Sequence, residues 1–309
     1  MPIHLSAMVD ILMATYNGEA FVEEQVRSIM RQSFIDWRLL IHDDGSTDNT
    51  VDILRGLMKE DCRIQLLEDD VCYLGVARNF IHLVNSSSAQ YCMFCDQDDI
   101  WLPNKVEEML NEIKQYNQNI PQVVYSNAYL WTSQKGVISD KNTLTYPTTL
   151  RQALFLNTGI QGAAAIFNRK MCDRIGQELD FYAMHDHVLL LAGICFGEVH
   201  YLHKSLMYYR QHEKNLTGNA PGSKRKKLKL MWQNRNVPLV SREHYNGLKS
   251  FYEYFQETIL LDDKTVIEGF LSLPDENFLI RLWRIVQYRF RLFDSTLLLM
   301  IKMCIRRYI

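Results

Sequence analysis

The sequence predicts an α/β protein: a mostly parallel sheet with helices on both faces, followed by a C-terminal helical extension. Three observations predict this class. Short apolar runs alternate with amphipathic helical segments, the runs are largely uninterrupted by polar residues, and polar clusters follow several of them directly. The 309 residues, 47% of them apolar, are enough for a large core. Because no Gly-Ser or proline-rich linker interrupts residues 1–215, we expect 1–217 to form one domain and 218–309 a basic, mainly helical extension.

The first half of the chain follows a strand–helix rhythm. VDILMAT (9–15) predicts a strand buried on both faces, and residues 19–32 place their apolar side chains on one helical face. WRLLIHD (37–43) predicts the second strand, and Ser46 or Asp48 is placed to cap the helix that follows. The remaining predicted elements of this half are a strand at 63–68, a helix at 75–85, a strand at 89–95 and a helix with Pro103 in its first turn.

The rhythm loosens in the second half. Strands are predicted at 122–131 and 162–169, and Asp186 is placed to cap an apolar helix. Residues 198–212 predict an extended segment. The stretch 218–227, which contains Gly, Pro and a run of cations, is the best candidate for a domain boundary.

The seven cysteines are irregularly spaced, which predicts reduced thiols in a cytosolic protein. Cys92 and Cys95 form a C-x-x-C pattern on a predicted strand, whose alternation points their side chains to opposite faces. We therefore expect core residues rather than a metal or redox pair. The N-terminus has no basic segment followed by a long apolar run, and no apolar stretch reaches membrane-spanning length, so we expect neither a signal peptide nor a transmembrane helix.

Polar clusters stand at or near the ends of predicted strands. Ligands of open α/β sheets bind beyond the carboxyl ends of the strands. Taken singly, each cluster is explained by a turn or a helix cap, which use the same residue types. Taken together, they bring like charges to one sheet edge, where carboxylates repel unless a cation or a donor-rich ligand is present. The clusters are Thr15-Tyr16-Asn17, Asp43-Asp44-Gly45-Ser46, Asp96-Gln97-Asp98-Asp99 and His185-Asp186-His187.

The Asp-x-Asp pattern of Asp96 and Asp98 suits a divalent cation. Mg²⁺ prefers carboxylate oxygens and often takes one or two of them, with substrate phosphates completing its shell. The sequence has neither a Walker loop nor the dinucleotide-binding glycine pattern, which would bind phosphate through backbone N–H groups. A metal–diphosphate complex is therefore the expected ligand of this edge.

Three segments carry a resemblance to a known family. ILMATYNGEAFVEEQVRSIMRQSF, DDGSTDNT and FCDQDDIWLPNKVE closely resemble the nucleotide-sugar domain of family 2 glycosyltransferases, which have the Rossmann-like glycosyltransferase-A fold. The resemblance is strong over residues 9–115 and extends to about residue 215 through NTGIQGAAAIFNR, MHDHVLLLAG and YYRQHEKNLTG. These later segments resemble the bacterial rhamnosyltransferase-like branch, which builds surface polysaccharides such as O-antigen or capsule.

The resemblance implies roles in binding the donor. Thr15 and Tyr16 match the first nucleotide-contacting loop. Asp44 matches the acid that accepts the ring N–H of a pyrimidine base, and Asp43 stands beside it. Arg210 resembles a clamp on the diphosphate, although an arginine at a strand end is common without such a role.

The resemblance also implies roles at the metal and in catalysis. Asp98 matches the metal-binding acid, and Asp96 matches the first acid of the motif, which contacts ribose or metal-bound water. His212 is a candidate third metal ligand, and Asp186 matches the general base. Asp99 either supports the site or the acceptor, or forms only the polar turn before the next helix.

The two histidines beside Asp186 have two open interpretations. At the start of a helix His185 and His187 point in different directions, so at most one is expected to line the pocket. The alternative is that both lie on the surface.

The implied reaction is metal-dependent, inverting transfer of a sugar from a nucleotide sugar to a hydroxyl of a lipid-linked saccharide, with Mg²⁺ or Mn²⁺ as cofactor. L-Rhamnose from dTDP-rhamnose is the first candidate donor, and a UDP-hexose such as UDP-glucose, UDP-galactose or UDP-N-acetylglucosamine is the alternative. A catalytically inactive sugar-nucleotide-binding or membrane-scaffold protein is the non-enzyme alternative. The presence of Asp44, Asp98 and Asp186 argues against it.

The C-terminal third is basic. Residues 224–309 carry a net charge of +7, whereas residues 1–223 carry −9. On a helical wheel, 278–293 separates four arginines (Arg281, Arg284, Arg289 and Arg291) from apolar side chains that include Leu279, Trp283, Val286 and Phe290.

This pattern has two interpretations. One is an interfacial helix that meets anionic lipid headgroups, and the other is a core-packing helix with a basic outer face. The apolar-then-basic tail at 297–309 favours the first, which places the protein peripherally on the inner, cytoplasmic face of the cell membrane. Nucleic acid is not an expected partner, because aromatic residues are not interleaved with the basic run.

Overall fold

The computed structural model describes residues 8–156, 160–211 and 236–309. In these ranges nine strands form one sheet in the order β3-β2-β1-β4-β8-β6-β9-β5, with β7 paired to β6. The strands are β1 Val9–Thr15, β2 Trp37–Asp43, β3 Ile64–Leu66, β4 Tyr91–Cys95, β5 Ile100–Trp101, β6 Gln122–Thr132, β7 Gly136–Ser139, β8 Ala165–Asn168 and β9 Glu198–Arg210.

Eleven α-helices lie in the same described ranges. They cover the sheet and build the C-terminal part of the chain. The helices are α1 Val22–Met30, α2 Thr50–Glu60, α3 Val76–Ser86, α4 Lys105–Ile113, α5 Leu150–Ala153, α6 Arg169–Ile175, α7 His185–Phe196, α8 Arg242–Phe255, α9 Leu261–Leu271, α10 Phe278–Gln287 and α11 Thr296–Ile305.

The predicted fold class is confirmed. The first four strands of the described sheet pair in parallel, β3 with β2, β2 with β1 and β1 with β4, and β6 pairs in parallel with β9. β8 enters antiparallel between β4 and β6, and β5 lies antiparallel on β9. The antiparallel insertions explain why the strand–helix rhythm of the sequence loosens after β4, because such strands need no helical crossover.

The central strands are buried on both faces, as their largely apolar sequences predict. Ile11 packs into the cluster under α1 and α4, whereas its neighbour Leu12 packs into the cluster under α3 and α7. The same alternation sends Cys92 and Cys95 to opposite clusters, so they are core residues and form no C-x-x-C metal or redox pair.

Several element boundaries differ from the predictions. β3 is only three residues long, and residues 162–164 form a 3₁₀ turn before β8 begins. α4 starts at Lys105 rather than in the turn of Pro103. Neither Ser46 nor Asp48 is the N-cap of α2, because Asn49 holds that position, although the Asp48 carboxylate accepts the Thr50 N–H at 3.0 Å.

The C-terminal helices share a core with the rest of the protein. Phe155, beside α5, makes edge-to-face contacts with Phe270 of α9 and with Phe290, at ring-centroid distances of 5.0 and 5.4 Å. One continuous apolar cluster contains side chains of β4, α7, α8, α9 and α11. The predicted boundary between 217 and 218 lies outside the described residues, and the two-domain division stays a prediction.

The predicted amphipathic helix at 278–293 is shorter than expected, and its apolar face does not point into the protein. α10 ends at Gln287, Arg289 has a positive φ of 56°, and Phe290 is fully buried. The guanidinium of Arg281 donates to the carbonyl oxygens of Leu273 and Pro274, so this arginine faces the protein body rather than solvent.

The apolar face of α10 is the exposed one. Leu279, Trp283 and Val286 are all more than half exposed, whereas Ile285 alone of this helix is fully buried. The core-packing interpretation, with apolar side chains inside and arginines outside, is therefore wrong for these three residues. Among the described residues, no helix combines the length and apolar character that crossing a membrane requires.

Candidate active site

The first two polar clusters lie side by side at the carboxyl ends of β1 and β2. Thr15 and Asp43 are the last residues of these strands and pair in register, and the Thr15 hydroxyl donates to the Asp43 carboxylate at 2.7 Å. Tyr16 follows with an exposed ring, and its backbone N–H donates to the side-chain oxygen of Gln97 at 3.0 Å. Gln97 returns a hydrogen bond to the Tyr16 carbonyl oxygen, so the first cluster is joined to the third.

Asp43 supports the turn between β2 and α2. Its carboxylate accepts the backbone N–H groups of Gly45 and Ser46 at 3.2 and 2.7 Å, and the hydroxyls of Thr15 and Ser46 at 2.7 Å. The Asx turn that the sequence left open is present. Gly45 has a φ of 92°, which explains the glycine at this place in the turn.

Asp44 holds the loop between β3 and α3. Its two carboxylate oxygens accept the backbone N–H groups of Leu74 and Gly75, at 2.7 and 2.9 Å. Each oxygen keeps a second lone pair, since a carboxylate oxygen accepts two hydrogen bonds. Asp44 is thus positioned at the same edge as Thr15, with a structural function that sequence analysis did not predict.

The three acids of the third cluster follow β4 and create a strongly negative site. Burial, together with the charges of Asp98 and Asp186, raises the pKa of Asp96 to about 7, against the opposing effect of Lys105. Burial also raises the pKa of Asp99 well above its usual value, with Asp96 and Asp98 adding to the effect. These shifts have a common cause: carboxylates are crowded together at a poorly hydrated edge.

Asp99 and Lys105 lie beneath this cluster. Both are fully buried. One carboxylate oxygen of Asp99 accepts the Arg210 backbone N–H at 3.3 Å, and the other has no hydrogen-bond partner among the described residues. The Lys105 ammonium donates to the Ala163 carbonyl oxygen at 2.5 Å and lies 3.6 Å from the centroid of the Trp101 ring. Asp99 is therefore an interior group rather than a part of the polar turn.

Lys105 is the site residue that sequence analysis missed. Burial lowers its pKa to about 7, although Cys95, Asp99 and Asp96 favour its charged form. The sequence contains a signal for it: Lys105 falls on the same helical stripe as Met109 and Ile113, at intervals of four residues, and that stripe is the buried face of α4. A cation on an apolar stripe has to meet an acceptor or an acid inside the protein.

Arg210 is brought to the site by the end of β9. Its guanidinium donates to the backbone oxygen of Asp98 at 2.7 Å and to Glu24 at 2.5 Å, and it lies 4.6 Å from the centroid of the Trp131 ring. Its backbone N–H donates to Asp99. These contacts fix the shape of the acidic loop, so Arg210 has a positioning role at the site. The candidate metal ligand His212 lies outside the described residues.

Asp186, in the first turn of α7, faces the acidic cluster. Burial raises the pKa of Asp186 to about 7. Hydrogen bonds from the backbone N–H groups of His187, Gly162 and Asp186 itself act in the opposite direction and lower it. It is not the N-cap, because Met184 holds that position. A Cβ at Gly162 would lie only 2.4 Å from the His185 ring and 3.2 Å from the Asp186 Cβ, so glycine permits this close approach.

The histidines beside Asp186 are not surface residues. The His185 ring packs against Phe80 and Phe94, at centroid distances of 4.0 and 4.8 Å, and burial lowers its pKa to about 3. His187 points instead toward α8, where its ring lies 4.9 Å from that of His244. They diverge as predicted, and the surface interpretation is wrong because α3, β4 and α8 cover them.

Comparison with known proteins identifies the family. A family model described as Glycosyl transferase family 2 matches residues 10–176, more than half of the chain. The chain belongs to this family of glycosyltransferases. It is 30% identical over 222 residues to the dTDP-rhamnosyl transferase RfbG of Shigella flexneri, a match that covers 67% of this chain and 73% of the relative. It is 25% identical over 229 residues to the Escherichia coli UDP-Glc:alpha-D-GlcNAc-diphosphoundecaprenol beta-1,3-glucosyltransferase WfgD, with coverage of 73% and 84%.

Solved structures show the glycosyltransferase-A fold for this family member. S. aureus TarS 1-349 in complex with UDP-GlcNAc superposes with a TM-score of 0.55 at 14% identity, over 88% of this chain and 82% of that one. In another S. aureus TarS structure the match covers 43% of that chain, with a TM-score of 0.54. The mannosyltransferase PcManGT from Pyrobaculum calidifontis, in complex with GDP-Man and Mn²⁺, superposes with a TM-score of 0.53 at 12% identity, over 93% of this chain and 74% of that one.

The acids of this glycosyltransferase fit a divalent metal ion. Family 2 glycosyltransferases of this fold commonly use one. Asp96 and Asp98 offer the hard oxygen ligands that Mg²⁺ and Mn²⁺ prefer. Burial and the neighbouring charges of Asp98 and Asp186 raise the pKa of Asp96, and a cation would relieve this repulsion between the acids. Asp99 does not fit as a ligand, because it is buried beneath the cluster between Lys105 and the Arg210 backbone.

Proposed function

We propose that this glycosyltransferase moves a sugar from a nucleotide sugar to a hydroxyl of a lipid-linked saccharide, with inversion at the anomeric carbon and with Mg²⁺ or Mn²⁺. The observation that supports the proposal is that a cluster of acids suited to a metal ion and a separate acid suited to be a general base lie at the same sheet edge. Asp98 belongs to a metal-type acidic cluster, and Asp186, whose pKa is raised to about 7, faces that cluster from α7. This arrangement supports a donor site with a general base beside it.

Asp98 and Asp96 would hold the metal ion. When bound, the ion supplies positive charge that offsets the charge developing on the departing nucleoside diphosphate. Arg210 holds the loop that carries these acids, and Asp96 and Asp99 favour the charged form of the buried Lys105 nearby. His212 remains a predicted third ligand.

Asp186 would act as the general base. As the acceptor oxygen attacks the anomeric carbon, its proton passes to the Asp186 carboxylate. The new C–O bond forms on the face opposite the leaving group, and the bond from the anomeric carbon to the diphosphate oxygen breaks with both electrons leaving on the diphosphate. A pKa of about 7 suits this role, because the base is then ionised near neutral pH and still has proton affinity.

The ends of β1 and β2 would bind the nucleoside. Thr15, Tyr16, Asp43 and Asp44 line the same edge as the acidic cluster, and the exposed Tyr16 ring offers a stacking surface. Asp44 keeps one lone pair on each oxygen for the ring N–H of a pyrimidine base. The proposed diphosphate contact of Arg210 would have to compete with its present contacts to Glu24 and the Asp98 backbone.

Two donors are supported by named relatives. The 30% identity to an enzyme named as a dTDP-rhamnosyl transferase favours dTDP-rhamnose, and the 25% identity to one named for UDP-glucose supports the alternative. Relatives named for diphosphoundecaprenol-linked or undecaprenol-linked acceptors, and for teichuronic acid biosynthesis, support a lipid-linked acceptor in bacterial surface polysaccharide synthesis.

A donor panel tests the proposed reaction. The purified chain is incubated with Mn²⁺, a lipid-diphosphate-linked saccharide and one nucleotide sugar at a time, and the released nucleoside diphosphate and the glycosylated product are quantified by mass spectrometry. We expect product from dTDP-rhamnose and none from UDP-hexoses. Product from a UDP-hexose alone would replace the donor assignment. Failure of every dTDP- and UDP-sugar with several such acceptors would reject the proposed transfer.

We propose further that α10 and α11 dock on an anionic membrane surface, which brings the site to a lipid-linked acceptor. Leu279 of α10 is 74% exposed, Trp283 is 57% exposed and Leu297 of α11 is 68% exposed. Isolated exposed apolar residues are ordinary, but this set lies on two consecutive helices. The exposed cations Arg289 and Arg291 flank it, as in helices that lie in the headgroup region.

The membrane proposal predicts weaker vesicle binding when apolar side chains of α10 are removed. Replacing Leu279 and Trp283 together with Ser should lower partitioning onto vesicles of phosphatidylglycerol and phosphatidylcholine at least about tenfold, since each large side chain contributes on the order of 1.5–3 kcal/mol when buried. Ile35→Ser is the control, because Ile35 is also 74% exposed but lies before β2, at the opposite end of the strand from the acids. Equal binding of the double variant and the control would contradict the docking surface.

A further inference from the structure

A second cluster of metal-ligating side chains lies beside the proposed donor site. His42 of β2, Asp69 of the loop before α3, and His82 of α3 place one ligand atom each within 4.8 Å of one another. The Asp69 carboxylate lies between the two rings, 3.3 Å from His42 Nε2 and 2.8 Å from His82 Nε2. Three separate elements meet at this cluster, and the proposed transfer reaction uses none of its side chains.

The hydrogen bonds of His42 fix which ring nitrogen carries a proton. His42 Nδ1 lies 2.8 Å from the side-chain oxygen of Asn79, which can only accept, so Nδ1 carries hydrogen. The orientation of Asn79 is fixed in turn, because its Nδ2 faces the His42 carbonyl oxygen at 3.4 Å. In the neutral ring, Nε2 is therefore a bare lone pair.

That lone pair faces two further acceptors. His42 Nε2 lies 3.3 Å from the Asp69 carboxylate and 3.1 Å from the Val71 carbonyl oxygen. His42 and Asn79 are buried, so solvent does not screen the repulsion well. Three electron-rich atoms at such distances repel one another, and a cation among them, either a proton on Nε2 or a metal ion bound to it, would relieve that repulsion.

The arrangement has the features of a transition-metal site. A histidine that binds a metal through one nitrogen usually donates its other ring N–H to an oxygen, as His42 does to Asn79. Ligands about 2.1 Å from a tetrahedral ion lie about 3.4 Å apart, close to the separation of His42 Nε2 and Asp69. Two imidazoles and one carboxylate select Zn²⁺ and related ions over Mg²⁺, which prefers oxygen ligands.

We propose that His42, Asp69 and His82 bind a divalent transition-metal ion that fastens the loop between β3 and α3. This loop is already held at its far end, where Leu74 and Gly75 donate to Asp44. An ion at Asp69 fixes its near end, so one end of the loop is tied to β2 and the other to Asp44, directly after β2. The ion is separate from the one proposed at Asp98, and its binding does not depend on glycosyl transfer.

The test uses Zn²⁺ alone as the probe and the full chain after treatment with EDTA. Zn²⁺ affinity is measured by calorimetry, and bound zinc by elemental mass spectrometry after gel filtration. Asp69→Asn and His82→Ala alter partly exposed side chains and should preserve the fold, which circular dichroism checks. Asp70→Asn removes the neighbouring exposed carboxylate and is the matched control. Asp98→Asn removes the acid proposed for the other ion.

We expect the wild type, Asp70→Asn and Asp98→Asn to retain one tightly bound zinc. Asp69→Asn and His82→Ala should lose it or bind it at least about tenfold more weakly. Wild-type affinity in Asp69→Asn would overturn the proposal. So would a wild type that takes up no zinc, and a His42 ring that NMR then shows to be doubly protonated would identify the cation of the cluster as a proton.

Discussion

Replacing Asp186 with Asn is expected to lower kcat by a factor of about 10² to 10⁴, the usual contribution of a general base, while donor affinity stays close to that of the wild type. Asn keeps a side-chain oxygen that can accept the backbone N–H groups of Gly162 and His187, so the start of α7 should keep its shape. What is lost is the group that removes the proton from the acceptor hydroxyl. Single-turnover transfer and calorimetric donor binding measure the two quantities separately.

The same assignment determines the pH dependence of the reaction. Burial raises the pKa of Asp186 from 3.8 to about 7, so below pH 7 the group is protonated and cannot accept a proton. We expect kcat/KM of the wild type to fall as pH decreases through about 7. Asp96 titrates in the same range, partly because the charge of Asp186 raises its pKa. In Asp186→Asn any remaining decrease should therefore shift to lower pH.

The control for this experiment is Asp180→Asn, which changes an exposed acid six residues earlier and should leave rate and pH profile unchanged. A transfer rate for Asp186→Asn within about threefold of the wild type would show that Asp186 is not the base. Circular dichroism and the melting temperature of both variants exclude unfolding as the cause of a loss.

Replacing Asp98 with Asn has the second large expected effect. Asn is nearly the same size but has no negative charge, so the acidic cluster loses the group expected to hold the metal ion. Because a bound ion contributes several kcal/mol to charge stabilisation, transfer should fall by about three orders of magnitude. The measurement is the initial rate of product formation at saturating Mn²⁺, for the variant and for the wild type before and after EDTA.

Asp52→Asn provides the matched control for Asp98→Asn. Asp52 is an acid on α2 whose side chain is 82% exposed, so its replacement makes the same change of charge away from the site. EDTA should stop the wild type and the control, and Mn²⁺ should restore both. A wild type indifferent to EDTA, or an Asp98→Asn variant as fast as the control, would remove the metal role.

The sheet and the acidic edge could be predicted from local sequence. Residues 9–15, 37–43 and 91–95 are short, largely apolar runs, which are typical of strands buried on both faces. Because these strands are parallel, their carboxyl ends lie at the same edge of the sheet, and the residues that follow them lie there too. The positions of Thr15, Asp43 and the third cluster follow from that, whereas their individual hydrogen bonds do not.

The partners of buried polar groups could not be predicted in the same way. Lys105 meets Ala163, 58 residues away in the chain, and Asp44 meets Leu74, 30 residues away. Such pairs depend on the paths of the loops between the strands. The hydrophobic periodicity of the sequence contains no information about those paths. His42, Asp69 and His82 likewise look like unrelated residues until β2, the loop and α3 meet.

The orientation of α10 also could not be predicted from the sequence. A helical wheel separates the arginines from the apolar side chains of 278–287 correctly, but it does not tell which side faces the protein. Carbonyl oxygens at Leu273 and Pro274 draw Arg281 inward, and Trp283 is left outside. The orientation of α10 therefore depends on backbone carbonyl groups that lie outside this helix.

The most direct test of the central claim, that the acidic edge is a metal-dependent donor site, is the affinity of the donor with and without Mn²⁺. Calorimetry with the nucleotide sugar selected by the donor panel compares the wild type with Asp98→Asn. We expect Mn²⁺ to tighten donor binding to the wild type at least about tenfold and to leave donor binding to the variant unchanged. Equal donor affinity with and without Mn²⁺ in the wild type, or the same Mn²⁺ effect in both proteins, would contradict it.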